Sequence, residues 1–421
     1  MSKLDHNVPL GSITRCQVCG SENLELVIDL GHQPLCDSLL TEAQLNEPED
    51  TYPLRLWRCL ECSLAQIDYA VDGSIVYHPA YPYRSGITKE LVTHQRSVAA
   101  DVIGEFGIPK DSLVVDIGSN DGTLLRGFKE KGMRVMGVEP TNIAEIARKE
   151  NGVDTVQAFF TEETAREIAK QHGKARVMTA TNVFAHMAPL GDVMRGMSHL
   201  LHDDGVFVTE SHYLPEIIKG VQYDTIYHEH LRSYSLKSLV KLFDLYGFTI
   251  VHTQVVNRYA GSIRVCAMRH GKRSPRPTVA KMLDAEKADG VYEKRTYDVF
   301  RDKTRRARDD LMRLALRAQS EGARFVANSC PGRGSTLVNY TGLSADMMPY
   351  ICEQPTSLKL GLYLPGKHIP IVTNDRLIKE QPEYVLLLAW HYADAIVAEL
   401  RGRGLRSKLI VPLPEVHVLE A

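Results

Sequence analysis

The chain of 421 residues has no apolar run approaching the ~18 residues that a membrane-crossing helix needs. Its opening residues, Met-Ser-Lys-Leu-Asp-His-Asn, lack the apolar core of a secretory signal. These absences set the expectation of a cytoplasmic protein with no membrane partner. In that compartment paired cysteines are more often metal ligands than disulfides. An excess of one charge is also missing. Lys and Arg number 50 against 52 Asp and Glu, for a formal net charge of −2, so the chain shows no basic footprint for nucleic acid. The one basic run, Lys303-Thr-Arg-Arg-Ala-Arg308, is followed by Asp309 and Asp310 and reads as a solvated helix face. No short repeat or low-complexity tract is evident. The composition is that of an ordered globular protein, and the length implies two or three domains.

What is present begins with cysteine. Cys16 and Cys19 form one C-x-x-C pair, and Cys59 and Cys62 form another. Two residues between thiolates let each knuckle present both sulfurs to one tetrahedral ion. The pattern predicts a structural zinc with no open position, and the long loop between the pairs reads as an insertion. Cys36, Cys266, Cys330 and Cys352 lack such partners and are expected to be inert core residues.

Beyond this turn-rich start the pattern becomes strand, turn, helix, repeated. Ser112–Ile117, Arg134–Val138, Ala175–Ala180 and Gly205–Glu210 read as buried strands, with a helix opening at Thr123. Alternation of this kind predicts a doubly wound parallel sheet. Two close prolines at Arg273-Ser-Pro-Arg-Pro277 suggest a boundary, and Asp284 to about Gly322 reads as one charged helix. A second α/β pattern follows, with strands at Arg324–Ala327, Glu383–Leu388 and Lys408–Val411, a glycine turn at Pro331–Gly334, and a helix opening at Ser335. The expected layout is α/β in three parts: a zinc-binding domain over 1–80, a cofactor domain over 81–272 and a Rossmann-like α/β domain over 273–421.

Three clusters carry chemistry. The first is Asp116-Ile-Gly118-Ser-Asn120-Asp-Gly122-Thr, with Glu139 at the end of the second strand and Asn182 after a later one. Glycines allow a tight strand-to-helix turn and close approach of a ligand, and a carboxylate at Glu139 suits a ribose diol. The dinucleotide form G-x-G-x-x-G is absent. The form D-x-G-x-x-x-G with a distal Glu resembles motif one of class I S-adenosylmethionine methyltransferases. The second cluster is Tyr227-His228-Glu229-His230, rich enough in titratable groups to suggest a site with a histidine base. A neighbouring carboxylate can orient such a base or raise its pKa, and the residues alone leave open whether His228 or His230 acts. The third is Tyr81-Pro-Tyr83, which serves equally as hinge packing or as a source of substrate hydroxyls. His186 stands after the strand ending near Ala180, where open α/β sheets bind ligands, and a capping role there is an alternative.

Together these residues resemble the sugar C-methyltransferase family that acts on nucleotide-linked ketosugars, whose type members are dTDP-sugar C-3'-methyltransferases. The resemblance rests on the double C-x-x-C, the Asp-Ile-Gly-Ser-Asn-Asp-Gly turn, Asp224-Thr-Ile-Tyr-His-Glu-His230 and Leu364-Pro-Gly-Lys-His-Ile-Pro-Ile371, with weaker echoes at Tyr259-Ala-Gly-Ser-Ile-Arg-Val and Ala389-Trp-His-Tyr. It covers essentially the whole chain. It implies zinc and S-adenosylmethionine as cofactors and a small-molecule nucleotide sugar as partner. Tyr227, Glu229, His230 and His186 are implied as catalytic, with His230 the base. Asp116, Gly118, Asn120, Gly122, Glu139 and Asn182 are implied at the cofactor. Tyr81, Tyr83, His228, Arg333, Ser335, Thr336, Asn339 and Tyr340 are implied at the substrate. The chain departs from the family at Ser329-Cys330, Arg333 and Thr341, where the nucleotide is expected. The implied reaction is C-methylation of a 4-keto-deoxysugar, at C3 by analogy with the type members. The alternatives are O- or N-methylation of a related sugar, or a zinc-bearing nucleic-acid methyltransferase. The last should carry a basic surface and an Asn/Asp-Pro-Pro-Tyr motif, and neither is in the sequence.

Overall fold

In the computed structural model, which describes residues 6–77, 84–87 and 89–420, the strand predicted near Ser112 runs from Leu113 to Ile117 and is buried throughout. A strand apolar on both faces must be covered on both, and here helices do so. We number the seven strands of its sheet β1 (Leu113–Ile117), β2 (Arg134–Val138), β3 (Thr155–Val156), β4 (Ala175–Thr181), β5 (Leu201–His212), β6 (Phe248–Val256) and β7 (Ser262–Arg269). Their order is β6-β7-β5-β4-β1-β2-β3. The strands from β3 to β5 are parallel, while β7 and β6 form an antiparallel pair at one edge. The strand order reverses between β1 and β4, and a crevice opens there beyond the carboxyl ends. The loops after β1, β2 and β4 meet at that crevice.

The N-terminal sheet is antiparallel and built from Leu24–Gln33, Tyr52–Cys59 and Ala65–Ile67. Its fourth strand, Arg232–Ser233, is lent by the middle of the chain. Leu54 and Leu56 of this sheet share a core with the C-terminal unit, whereas Cys16, Cys59, Cys62 and Leu64 pack with Ile117, Phe184 and Tyr234 of the middle one. The small sheet is therefore a wedge between the two larger units.

The C-terminal sheet holds Phe325–Asn328, Ile351–Glu353, Ile369–Thr373, Tyr384–Leu387 and Lys408–Val411 in parallel, edged by antiparallel Tyr363–Leu364 and His417–Leu419. Two local expectations change. The charged segment is two helices, Pro277–Ala288 and Lys294–Ser320, because Gly290 turns left-handed at φ 68° and Val291 then buries in the core. The expected glycine turn is already helical: the helix spans Gly332–Thr341 with Pro331 at its N-cap. Among the described residues no helix is long and apolar enough to cross a membrane.

Candidate active site

The two cysteine knuckles close on each other. All four Sγ atoms lie within 4.8 Å of one another, with Cys16–Cys62 and Cys19–Cys59 each at 3.5 Å. Thiolates about 2.3 Å from a tetrahedral zinc stand about 3.8 Å apart, whereas a disulfide needs about 2.05 Å. Backbone N–H groups of Val18 and Cys19 donate to Cys16 Sγ at 3.4 and 3.5 Å, as a thiolate requires. The four thiols are free and clustered, and they fit a structural zinc.

A cavity of about 750 Å³ opens at the crevice and extends between all three units. Its floor is the first loop. Gly118 has φ 66°, and a Cβ there would stand 2.6 Å from Val183, so only glycine keeps the backbone open to a ligand. Glu139 anchors the rim. One carboxylate oxygen accepts the Asn120 N–H at 2.9 Å, and the other accepts from the Thr141 N–H and hydroxyl at 3.0 and 2.7 Å. Asn182, left-handed at φ 57°, has a buried Oδ1 with no partner among the described residues. Phe159 and Phe160 close one side. A glycine-lined backbone, a fixed carboxylate and an orphaned amide oxygen fit an adenosyl cofactor.

Asp116 and Gly122 support this floor from below and do not line the cavity. Asp116 accepts the Thr179 hydroxyl at 2.6 Å, and burial raises its pKa to about 7. Gly122, at φ 76°, leaves no room for a Cβ against Val153.

Beyond the floor stand three imidazoles. The His230 ring lies 4.7 Å from that of His186, 4.8 Å from His212 and 3.9 Å from the Tyr227 ring. His230 Nδ1 is 2.7 Å from the Thr225 carbonyl oxygen. A carbonyl only accepts, so Nδ1 carries the hydrogen and Nε2 the lone pair. Burial lowers His230 to about 4 and holds His186 and His212 well below the usual imidazole range. Glu229 accepts the Cys36 thiol at 3.3 Å. Burial, reinforced by Glu229, pushes Cys36 upward, so this buried cysteine stays a protonated, unreactive thiol that donates to Glu229. His228 also lines the cavity, but its Nε2 lies 3.2 Å from the Pro53 carbonyl oxygen and its ring is edge-on to Tyr52.

Of the C-terminal residues implied at the substrate, Arg333 alone lines the cavity. Its guanidinium forks onto Asp224 at 2.8 Å through both Nε and Nη2. Thr336 donates to the Ile226 carbonyl oxygen, Asn339 to the Ser335 and Pro365 carbonyl oxygens, and Tyr340 packs edge-on to Tyr223. These residues and Ser335 lie on helix faces turned to packing. Tyr81 and Tyr83 lie outside the described residues. Tyr77 lines the cavity and stacks on His186 at 6.4 Å. Sequence reasoning passed over Tyr77, His212 and Lys359 and gave no role to Tyr259 and His391, all cavity residues. His212 ends β5 just as His186 follows β4, and the same positional rule finds it.

The buried histidines give a stability prediction. His186, His212, His228, His230 and His391 all sit below the ordinary pKa of 6.5 because burial disfavours the cation. The unfolded chain takes up these protons first, so stability holds above about pH 6.5 and falls as pH drops toward 4. Each group contributes up to about 1.4 kcal/mol per pH unit. Cavity water softens the terms for His186 and His212, and Asp116 acts in the opposite sense because its folded form keeps the proton. Urea midpoints should show a loss on the order of 3–5 kcal/mol between pH 6.5 and 5. A midpoint that does not move would show these rings to be solvated.

Comparison with known proteins also matches the chain in three segments. Family models match as a zinc binding domain over 16–77, a methyltransferase domain over 91–253 and a C-methyltransferase C-terminal domain over 258–414. A relative from Streptomyces niveus, C-methyltransferase NovU, is 35% identical over 414 residues, spanning 97% of each chain. Among solved structures, the Burkholderia thailandensis 1,6-didemethyltoxoflavin-N1-methyltransferase is 20% identical, with a TM-score of 0.35 over 50% of this chain and 96% of its own. The Synechocystis magnesium protoporphyrin IX methyltransferase is 19% identical, with a TM-score of 0.31 over 43% and 81%.

Proposed function

We propose a substrate and a mechanism on the premise that the chain belongs to the zinc-bearing C-methyltransferase family, as its full-length likeness to NovU shows. It is an S-adenosylmethionine-dependent C-methyltransferase. Its proposed substrate is a nucleotide-linked 4-keto-deoxysugar, methylated at the carbon next to the ketone, C3 by family likeness. The observation that carries this reading is the position of His230, among His186, His212 and Tyr227, in the same cavity as the glycine turn and Glu139.

The cofactor supplies an electrophilic sulfonium methyl group. The protein must supply a carbon nucleophile. With Nδ1 held by Thr225, His230 presents Nε2 to remove the proton beside the ketone. Burial keeps the ring neutral at cellular pH and ready to accept. Burial also raises Tyr227 and Tyr77 well above 10, so both remain phenols able to donate to the enolate oxygen. Glu139 would accept the ribose hydroxyls, and Asn182 Oδ1 a cofactor N–H. At the far end, the N-terminus of helix Gly332–Thr341 brings partial positive charge to the cavity beside Arg333 and Lys359, each already paired with an aspartate. That end suits the diphosphate of a nucleotide sugar.

Purified enzyme with S-adenosylmethionine and a panel of 4-keto nucleotide sugars should yield a product heavier by one methylene in mass spectrometry. Without the methyl donor, solvent deuterium should enter the carbon to be methylated. A methylated product with no such exchange would favour transfer to oxygen or nitrogen. Glu139→Ala should weaken S-adenosylmethionine by about 1–3 kcal/mol, as for a lost charge-assisted hydrogen bond. Calorimetry showing unchanged affinity would remove Glu139 from the cofactor site.

A further inference from the structure

Arg232 is among the largest fully buried side chains, at 1% exposure. Its Nη1 donates to the Met187 carbonyl oxygen at 2.8 Å, while Nε and Nη2 find no acceptor. No carboxylate pairs with it among the described residues. A guanidinium buried without a counter-charge is strongly unfavourable, so something must balance it.

The surroundings point to the cysteine cluster. Arg232 sits opposite Gln66 in the N-terminal sheet. The Gln66 side chain accepts the Gln17 N–H at 2.8 Å and donates to the Arg15 carbonyl oxygen at 3.0 Å, clasping both residues that flank Cys16. Gln17 in turn donates to the Leu231 carbonyl oxygen at 3.2 Å. Arg232 is thereby pinned beside the first knuckle, where the Tyr234 hydroxyl and, after it, the Cys16 sulfur favour its charge. A divalent zinc held by four thiolates carries two net negative charges inside the protein. We propose that Arg232 is the buried counter-ion of the zinc–thiolate centre, a positioning residue that ties it to the cavity wall through the Met187 carbonyl beside His186. This rests on zinc at the four cysteines and not on the identity of the substrate.

The test is zinc release from purified holoenzyme to a colorimetric chelator. Arg232→Met should release zinc at least about ten-fold faster, a change worth about 1.4 kcal/mol. Arg232→Lys, which keeps the charge, should stay within about three-fold of the parent. In a Cys19→His background a neutral imidazole replaces one thiolate and removes one negative charge, so the penalty of Arg232→Met should shrink by about three-fold or more. Release at the parent rate, equal loss in the Lys and Met variants, or an undiminished penalty beside Cys19→His would each overturn the proposal. If Arg232→Met is not recovered folded, Arg232→Gln takes its place: faster release supports the counter-ion, and parent-like release rejects it.

Discussion

His230→Asn should leave cofactor and substrate bound yet cut turnover by on the order of 10²–10⁴, the usual worth of a general base. Asparagine keeps an N–H for the Thr225 carbonyl oxygen but has no basic nitrogen to replace Nε2. Solvent-deuterium exchange at the sugar carbon should vanish with the turnover, because both need the same proton removed. His228→Asn should cost far less, since that ring packs edge-on against Tyr52, away from the His186–His230–His212 cluster. The pH profile offers a second reading. With its pKa near 4, His230 is neutral well below 6.5, so kcat/KM should show no acid limb near 6.5 while the fold survives. Near-full activity in His230→Asn with a dead His228→Asn would exchange the two roles. Full activity in both would sink the enolate mechanism.

Cys62→Ser should destabilise the protein by on the order of 5 kcal/mol, a fraction of the ~10–16 kcal/mol apparent binding energy of structural zinc. The hydrogen bonds of Gln17 and Gln66 hold the first knuckle to the sheet, but without the metal nothing ties it to the second through the sulfurs, and the loss should spread. Arg232–Ser233 is a strand of that sheet and begins two residues after His230, so the Tyr227–His230 segment loses its anchor. Metal analysis should find less than one zinc per chain. Trp57, bonded to Asp68 inside the N-terminal sheet, should report the loosening by fluorescence in a Trp390→Phe background, because the chain has two tryptophans. A variant of parental stability and zinc content would show that Cys62 is not a ligand.

By itself the sequence determined the features whose signal is local. C-x-x-C pairs predict ligands because two intervening residues set the sulfur spacing. The predicted strands at 112–117, 134–138 and 408–411 fall within a residue of the observed ones, since apolar runs bounded by turns have few other solutions. The glycine turn was legible because Gly118 and Gly122 both need positive φ. Tertiary structure decided what depends on residues distant in the chain. Which ring nitrogen of His228 and of His230 is held by backbone turns on where Pro53 and Thr225 place their carbonyl oxygens, and no spacing encodes that. Cys36 reaches Glu229 across 193 positions, and Arg333 reaches Asp224 across 109, tying a cysteine without sequence partners and a residue implied at the substrate to the Asp224–His230 segment. The lowered histidine pKa values arise from burial by all three units at once. Burial of that kind is a property of the assembled cavity, not of the four letters Tyr-His-Glu-His.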